Sequence, residues 1–316
     1  EIYTLSLHDA LPILVDTSSR RSSPSWWICA VGGPEDRIRN TGLLERWQET
    51  STVVGQFGRP VRAEIELWYR HDQGGRAEAE SRVTNIINEC GGKIINRARI
   101  EEIEYHALLA ELPRQQVQTV LEHGPQAIRL LTAEDVMFVS PFAPMSISSA
   151  SPTETSTTAF TSFDACGGNP RVALFDGMPF THHDALAGRL IIDDPDDIGS
   201  DYSVTARCHG TAMASLIIHG DLSAPGDPLD RPIYVRPLMR PVETGLDQFT
   251  ECVLPNTLFT DLLHRSVRRL FTESASRPPW APSVRVINLS IGDGARPLTR
   301  SQPRSEERRV GKECRS

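Results

Sequence analysis

Three continuous apolar runs in the second half of the chain constrain its fold more than any other feature. They cover residues 172–175, 233–238 and 284–289, and helical segments lie between them, one after His209 and one over residues 258–271. Strands that are apolar throughout are typical of a sheet buried on both faces, and alternation with helices favours parallel strands. The pattern predicts an α/β unit in which a parallel sheet has helices on both faces.

Polar residues with catalytic potential stand at the ends of these elements. Asp176 ends the first run, His209 opens a helix of small residues, and Ser290 follows the last run. Open α/β sheets place their sites at the carboxyl ends of the strands. An imidazole can take the proton of a serine hydroxyl while a carboxylate holds the ring in the right tautomer. Taken singly, Asp176 also fits a turn after a strand, and His209 fits a helix cap or a core position.

Over residues 167–303 the chain resembles the first half of the catalytic domain of the subtilases, the subtilisin-like serine proteases. That family has an Asp-Thr/Ser-Gly motif, a His-Gly-Thr motif and a Ser-x-Gly strand, in the order found here. The resemblance implies an incomplete subtilisin-like fold with Asp176 and His209 as catalytic residues. It also implies that three residues bind the main chain of a peptide substrate: Ser290, Ile291 and Gly292.

Three positions depart from the pattern of that family. Gly177 directly follows Asp176, so the hydroxyl that usually helps to fix this turn is missing. Ala212 stands where many members have a second histidine, and Asp293 replaces the second glycine of the substrate strand. The departure at Gly177 favours an alternative function, a peptide-binding or regulatory protein on a decayed protease fold.

Residues 60–143 show a different order of elements, namely strand, helix, strand, strand, helix, strand. Alternation from Val61 predicts the first strand, helical spacing up to Cys90 predicts a helix, and a second helix begins after Pro113. Further strands are predicted over residues 93–100, 105–112 and 136–139. This order is that of a small ferredoxin-like α+β domain. Many subtilases carry such a domain before the catalytic domain, as folding chaperone and inhibitor, so the resemblance implies an intramolecular prodomain as a partner.

A linker is expected between the two predicted domains. Residues 144–166 are dense in Ser and Thr and have too little apolar content to form a core. If residues 60–143 are a prodomain, this segment contains or adjoins the processing junction, because flexible polar segments are readily cleaved. Residues 14–59 receive no assignment from their sequence.

Both ends of the chain can be encoded by one DNA duplex. Residues 304–316 and residues 2–13 correspond to opposite strands of a sequence similar to a common sequencing-library adapter. We therefore interpret residues 1–13 and 304–316 as translated adapter and leave them out of the fold prediction.

Composition limits the partners and cofactors. The net charge is −8 and no basic cluster is present, which argues against a nucleic-acid partner. No run approaches the ~18 apolar residues of a membrane span. The cysteines form no CxxC pair, and we interpret Cys208, beside His209, as a buried thiol. No cofactor is expected. One acidic run suits a solvated loop, although structural calcium stays open; its members are Asp193, Asp194, Asp196, Asp197 and Asp201.

These observations predict the precursor of a serine endopeptidase that hydrolyses polypeptides through an Asp-His-Ser triad. No serine motif follows residue 292, so the nucleophile and the oxyanion residue are expected beyond residue 303, and the 316-residue chain itself is expected to be inactive. A nucleotide-binding protein is disfavoured because no strand is followed by a glycine-rich phosphate loop.

Overall fold

The described part of the chain contains three sheets. This computed structural model describes residues 33–39, 41–52, 60–142, 146–148, 166–221, 226–245, 248–274 and 277–291. One sheet is antiparallel and formed by the first half, one is parallel and formed by the second half, and a small antiparallel sheet joins segments of both. The protein is therefore of mixed α/β class, and all described residues belong to one compact unit.

The first sheet has the strand order β2-β3-β1-β4, with every neighbouring pair antiparallel. Its elements are β1 (Val61–Leu67), α3 (Gln73–Glu89), β2 (Lys93–Ile100), β3 (Tyr105–Leu112), α4 (Arg114–His123), α5 (Arg129–Thr132) and β4 (Val136–Pro141). Apart from the short helix α5, the order along the chain is the predicted βαββαβ order. The third strand lies between the first two and is antiparallel to both, as a split βαβ unit requires.

One face of this sheet carries the larger core. Two helices that the sequence left unassigned, α1 (Asp36–Arg39) and α2 (Leu43–Thr52), contribute Ile38, Leu43 and Trp47 to it. Apolar residues of α3 and α4 complete this core: Val83, Ile87, Val117 and Val120. Arg37 ties α1 to the segment before β4, because its guanidinium donates hydrogen bonds to the Leu131 and Ala133 carbonyls, each at 2.7 Å.

The second sheet is parallel throughout, with the order β11-β6-β8-β7. Its elements are β6 (Val172–Asp176), β7 (Leu190–Ile192), α6 (Cys208–His219), β8 (Ile233–Pro237), α7 (Phe259–Phe271) and β11 (Val286–Leu289). Ala173 and Phe175 share a core with α7, whereas Leu174 between them shares one with α6. Since alternate residues of a strand face opposite sides, helices cover both faces of this sheet, as predicted.

The third sheet was not predicted. It contains β9 (Met239–Gly245) and β10 (Gln248–Val253), which form a hairpin, and β5 (Ser146–Ser148), which belongs to the predicted linker. β5 pairs antiparallel with β10, and the pairing places Ile147 opposite Glu251. An extended segment of the linker therefore lies along a strand of the second half.

Helix α7 begins against the outer face of the first sheet. Leu258, the residue before α7, is fully buried in a cluster with Ile100, Tyr105 and Leu109 of β2 and β3. Glu102 forms an ion pair with Arg268 of α7, with 3.3 Å between Oε1 and Nη1. This contact explains why β3 is apolar on both faces, since each face of its sheet is covered.

Arginines bind two residues of the acidic run, Asp193 and Asp196, so the predicted solvated loop is wrong for these two. Asp193 is 2 % exposed and accepts hydrogen bonds from Arg269 at 2.5 and 2.8 Å and from Tyr234 at 2.6 Å. Asp196 accepts a bond of 2.6 Å from Arg236, whose side chain is buried. Guanidinium groups thus satisfy these carboxylates.

None of the described helices has both the length and the apolar character that crossing a membrane requires.

Candidate functional site

Asp176 lies at the carboxyl end of β6, in the middle of the parallel sheet. Its side chain is fully buried, and Oδ1 accepts a hydrogen bond of 2.6 Å from the N–H of Gly177. Its backbone carbonyl accepts from the N–H of Leu238, at the end of β8, at 2.7 Å. The bond to Leu238 holds the backbone of Asp176 in place, and the bond from Gly177 orients its carboxylate.

His209 is the second residue of α6, and its ring meets Asp176. The distance from His209 Nδ1 to Asp176 Oδ1 is 2.7 Å, and the imidazole is 20 % exposed. Burial lowers the pKa of His209, but the hydrogen bond and charge of Asp176, with the charge of Glu251, outweigh it and raise the pKa above its usual value. With the Nδ1 proton donated to the carboxylate, Nε2 is left as the basic nitrogen.

Gly210 allows α6 to approach the turn after β6. A Cβ at this position would lie 2.6 Å from the carbonyl oxygen of Gly177 and 3.0 Å from its carbonyl carbon. These are backbone atoms, which cannot rotate away as the end of a side chain can. Three of the small residues in this helix are Gly210, Ala212 and Ala214; Gly210 and Ala214 are buried, whereas Ala212 between them is exposed.

Gly210→Ala is therefore expected to destabilise the protein by about 1–3 kcal/mol, because the methyl group overpacks against the Gly177 backbone. Alanine normally stabilises a helix relative to glycine, so the sign is diagnostic. Gly74→Ala in α3 is the matched control, since its added Cβ meets nothing closer than 3.6 Å, and it is expected to stabilise by about 0.5 kcal/mol. Urea unfolding of both variants measures the difference; destabilisation equal in the two would contradict the role of Gly210.

A second buried carboxylate, Glu251 of β10, completes the site, and the sequence interpretation missed it. Its side chain is fully buried, with Oε1 2.6 Å from the hydroxyl of Tyr202 and Oε2 3.9 Å from Nδ1 of His209. A Cβ at Gly177 would lie 1.9 Å from Glu251 Oε1 and 2.7 Å from the Tyr202 hydroxyl. Glu251 and Tyr202 thus occupy the space that a side chain at position 177 would need. The unusual Gly177 was the one available signal.

Burial raises the pKa of Glu251 to about 7, helped by the charge of Asp176, although the Tyr202 hydrogen bond and the charge of His209 act in the opposite direction. One ligand atom each from Asp176, His209 and Glu251 lies within 4.8 Å of the others, a composition that could hold a metal ion. However, Nδ1 of His209 and Oδ1 of Asp176 already share a hydrogen bond. A metal ion bound at those two atoms would have to displace the proton of that hydrogen bond, so we assign no metal site here.

Two of the three residues predicted to bind substrate, Ser290 and Ile291, follow β11 at the same edge of the sheet. The pairing of β11 with β6 ends with Leu289 beside Phe175, so Ser290 follows at the level of Asp176. The hydroxyl of Ser290 donates to Asn288 Oδ1 at 2.6 Å, and Ile291 packs at the border of the α7 core. Gly292 lies outside the described residues. In the described part of the chain, no hydrogen bond joins Ser290 or Ile291 to Asp176 or His209.

Cys208 is exposed, so the prediction of a buried thiol at this position is wrong. Its Sγ donates to the Thr205 carbonyl at 3.1 Å, because the first residue of α6 points away from the sheet while His209 points towards it.

No family model matches the chain, and comparison with curated proteins finds no match either.

Proposed function

We propose that the chain is part of the precursor of a serine endopeptidase of the subtilisin-like type. One observation carries the proposal: a buried carboxylate at the end of a central parallel strand bonds the Nδ1 atom of a histidine in the first turn of a neighbouring helix, at 2.7 Å. That arrangement fixes the tautomer and leaves Nε2 free to act as a base.

The chemistry proposed for this pair is proton transfer to and from a serine hydroxyl. His209 Nε2 takes the hydroxyl proton as the oxygen attacks a peptide carbonyl, and then gives it to the leaving amine. The charge of Asp176 stabilises the imidazolium in between. The buried position of Asp176 strengthens this effect, because the effective dielectric is lower there than in water.

The third sheet supports peptides as the substrate class. β10 carries Glu251, which lies beside the Asp176–His209 pair, and β5 is paired with one edge of β10 as an antiparallel strand. Addition of an extended segment to a sheet edge is a general mode of peptide recognition, because main-chain hydrogen bonds accept many sequences. β5 belongs to the segment in which the processing junction is expected, so its place beside Glu251 fits a prodomain tail.

The first sheet supports the prodomain assignment. It contacts the second half of the chain at two places. Leu258, just before α7, packs against the sheet, and Arg268 of α7 forms an ion pair with Glu102. A domain bound there covers α7, the helix that follows β10, and the segment that follows the domain, β5, pairs with β10.

The gene supplies the decisive test, because the proposal requires a nucleophilic serine downstream of Pro303. A product read through to a Gly-Thr-Ser-Met-Ala-like stretch should be labelled by a fluorophosphonate, and His209→Ala should abolish labelling. The 316-residue chain should not react. A downstream sequence in which this serine is replaced would favour the alternative of a non-catalytic peptide-binding protein. Labelling that survives His209→Ala would show that the reactive serine does not depend on His209 and would contradict the proposed triad.

A further inference from the structure

Two carboxylates share the buried interior of the site, and each has an oxygen that makes no hydrogen bond among the described residues. Asp176 Oδ2 and Glu251 Oε2 are inaccessible to solvent and have no hydrogen bond among the described residues. Burying an unpaired charge is costly, and two adjacent carboxylates cannot both ionise cheaply. The site is therefore expected to hold a proton on one of them.

The contacts of Tyr202 indicate which carboxylate carries that proton. The Tyr202 hydroxyl lies 2.6 Å from Glu251 Oε1 and 2.9 Å from the carbonyl oxygen of Met239. A phenol has one proton to donate, and a carbonyl oxygen can only accept. Both short contacts are hydrogen bonds at once if Tyr202 donates to Met239 and a protonated Glu251 donates to Tyr202. Asp176, in contrast, accepts from both the Gly177 amide and His209 and suits the ionised form.

The groups that face Glu251 leave it little compensation if it ionises. They are Asp176 of β6, His209 of α6 and Tyr202, which lies before α6. The thiol of Cys252, the next residue on the same strand, is within reach of the charge of Glu251. In the described part of the chain His209 is the one side chain that can pair with it as a cation. With Glu251 neutral, the charge of Asp176 alone balances an imidazolium at His209.

We propose that Glu251, held as a neutral carboxylic acid by Tyr202 and the Met239 carbonyl, is a positioning residue that braces the Asp176–Gly177 turn and sets the basicity of His209. Its relevance to hydrolysis rests on the proposed function, whereas its effect on His209 does not. When Glu251 loses its proton to solvent, a second negative charge appears 3.9 Å from Nδ1 of His209. The imidazolium is then favoured, so His209 retains its proton to higher pH and less of the basic form is present.

The test is a pH titration of His209 in the 316-residue chain, followed by NMR of the ¹⁵N-labelled imidazoles and assigned with His209→Ala. Coupled groups titrate in macroscopic steps that belong to the pair. We expect two inflections for His209, one of them near pH 7, where Glu251 ionises. In Glu251→Gln this inflection should be lost and the remaining midpoint should move to lower pH. Glu243→Gln, at an exposed position of the same hairpin, is the control and should match the wild type.

A second measurement keeps the test independent of how well Glu251→Gln folds. In the wild-type chain, the side-chain ¹³C signal of Glu251 should report a neutral acid at pH 6 and a carboxylate at pH 8. A carboxylate already present at pH 6, or a His209 curve unchanged in a folded Glu251→Gln variant, would overturn the proposal. If these results are as expected but no downstream serine exists, the proposed function fails while the coupling of Glu251 to His209 stands.

Discussion

Asp176→Asn is expected to lower kcat for peptide hydrolysis by about 10⁴-fold in the gene product that includes the downstream serine. The amide either presents an N–H to Nδ1, which moves the ring proton to Nε2 and removes the base, or presents an oxygen without charge. In the second case the imidazolium loses its buried counter-charge. KM should change little, because Asp176 lies inside the sheet and does not reach the edge of β10 where a peptide would bind. Steady-state hydrolysis of a fluorogenic peptide separates the two constants.

Asp184→Asn is the matched control for this experiment. Asp184 is an exposed aspartate shortly after the same strand. Its substitution removes the same charge but leaves the Asp176–His209 pair unaltered. Its kcat should equal that of the wild type. A kcat for Asp176→Asn within tenfold of the wild type would contradict the proposed role. Recovery of Asp176→Asn activity through ionised Glu251, abolished by a further Glu251→Gln, would make Glu251 the working carboxylate instead.

Elements whose residues carry a local signal were predictable from the sequence. The strands predicted over residues 93–100 and 105–112 have the bounds of β2 and β3, because their apolar content and flanking turns are local. The parallel sheet also followed from the continuous apolar runs, since burial on both faces leaves no polar alternation. The meeting of Asp176 with His209 depends on these elements alone. It was therefore within reach of a sequence argument.

Features that depend on distant partners were not predictable. The hairpin of β9 and β10 contains Pro241 and several charged residues, so it carries little strand signal. Glu251 becomes a site residue only because the fold brings it against Gly177 and Tyr202. In the acidic run, the sequence displays the density of carboxylates but not the arginines of β8 and α7 that bind them. Hence Asp193 and Asp196 looked like solvated residues although they hold the sheet to α7.

The pair of Asp196 with Arg236 carries the largest expected effect on stability. Arg236 is 1 % exposed and donates to Asp196 Oδ2 at 2.6 Å, to the Asp193 carbonyl at 3.2 Å and to the Ser266 hydroxyl at 3.4 Å. Asp196→Ala removes the carboxylate bonded to it and leaves a guanidinium buried. We expect the free energy of unfolding to fall by about 3–5 kcal/mol, measured by urea denaturation at pH 7.

The double variant Asp196→Ala/Arg236→Met separates the cost of an unpaired charge from the contribution of the pair. Methionine fills a similar apolar volume, and replacing both partners of a buried ion pair by apolar groups is often close to neutral. The double variant should therefore be more stable than Asp196→Ala alone. Asp230→Ala, which breaks an exposed pair with Arg231, should leave stability unchanged. If the double variant is less stable than Asp196→Ala, Arg236 stabilises the sheet through its remaining bonds and the unpaired-charge argument is wrong.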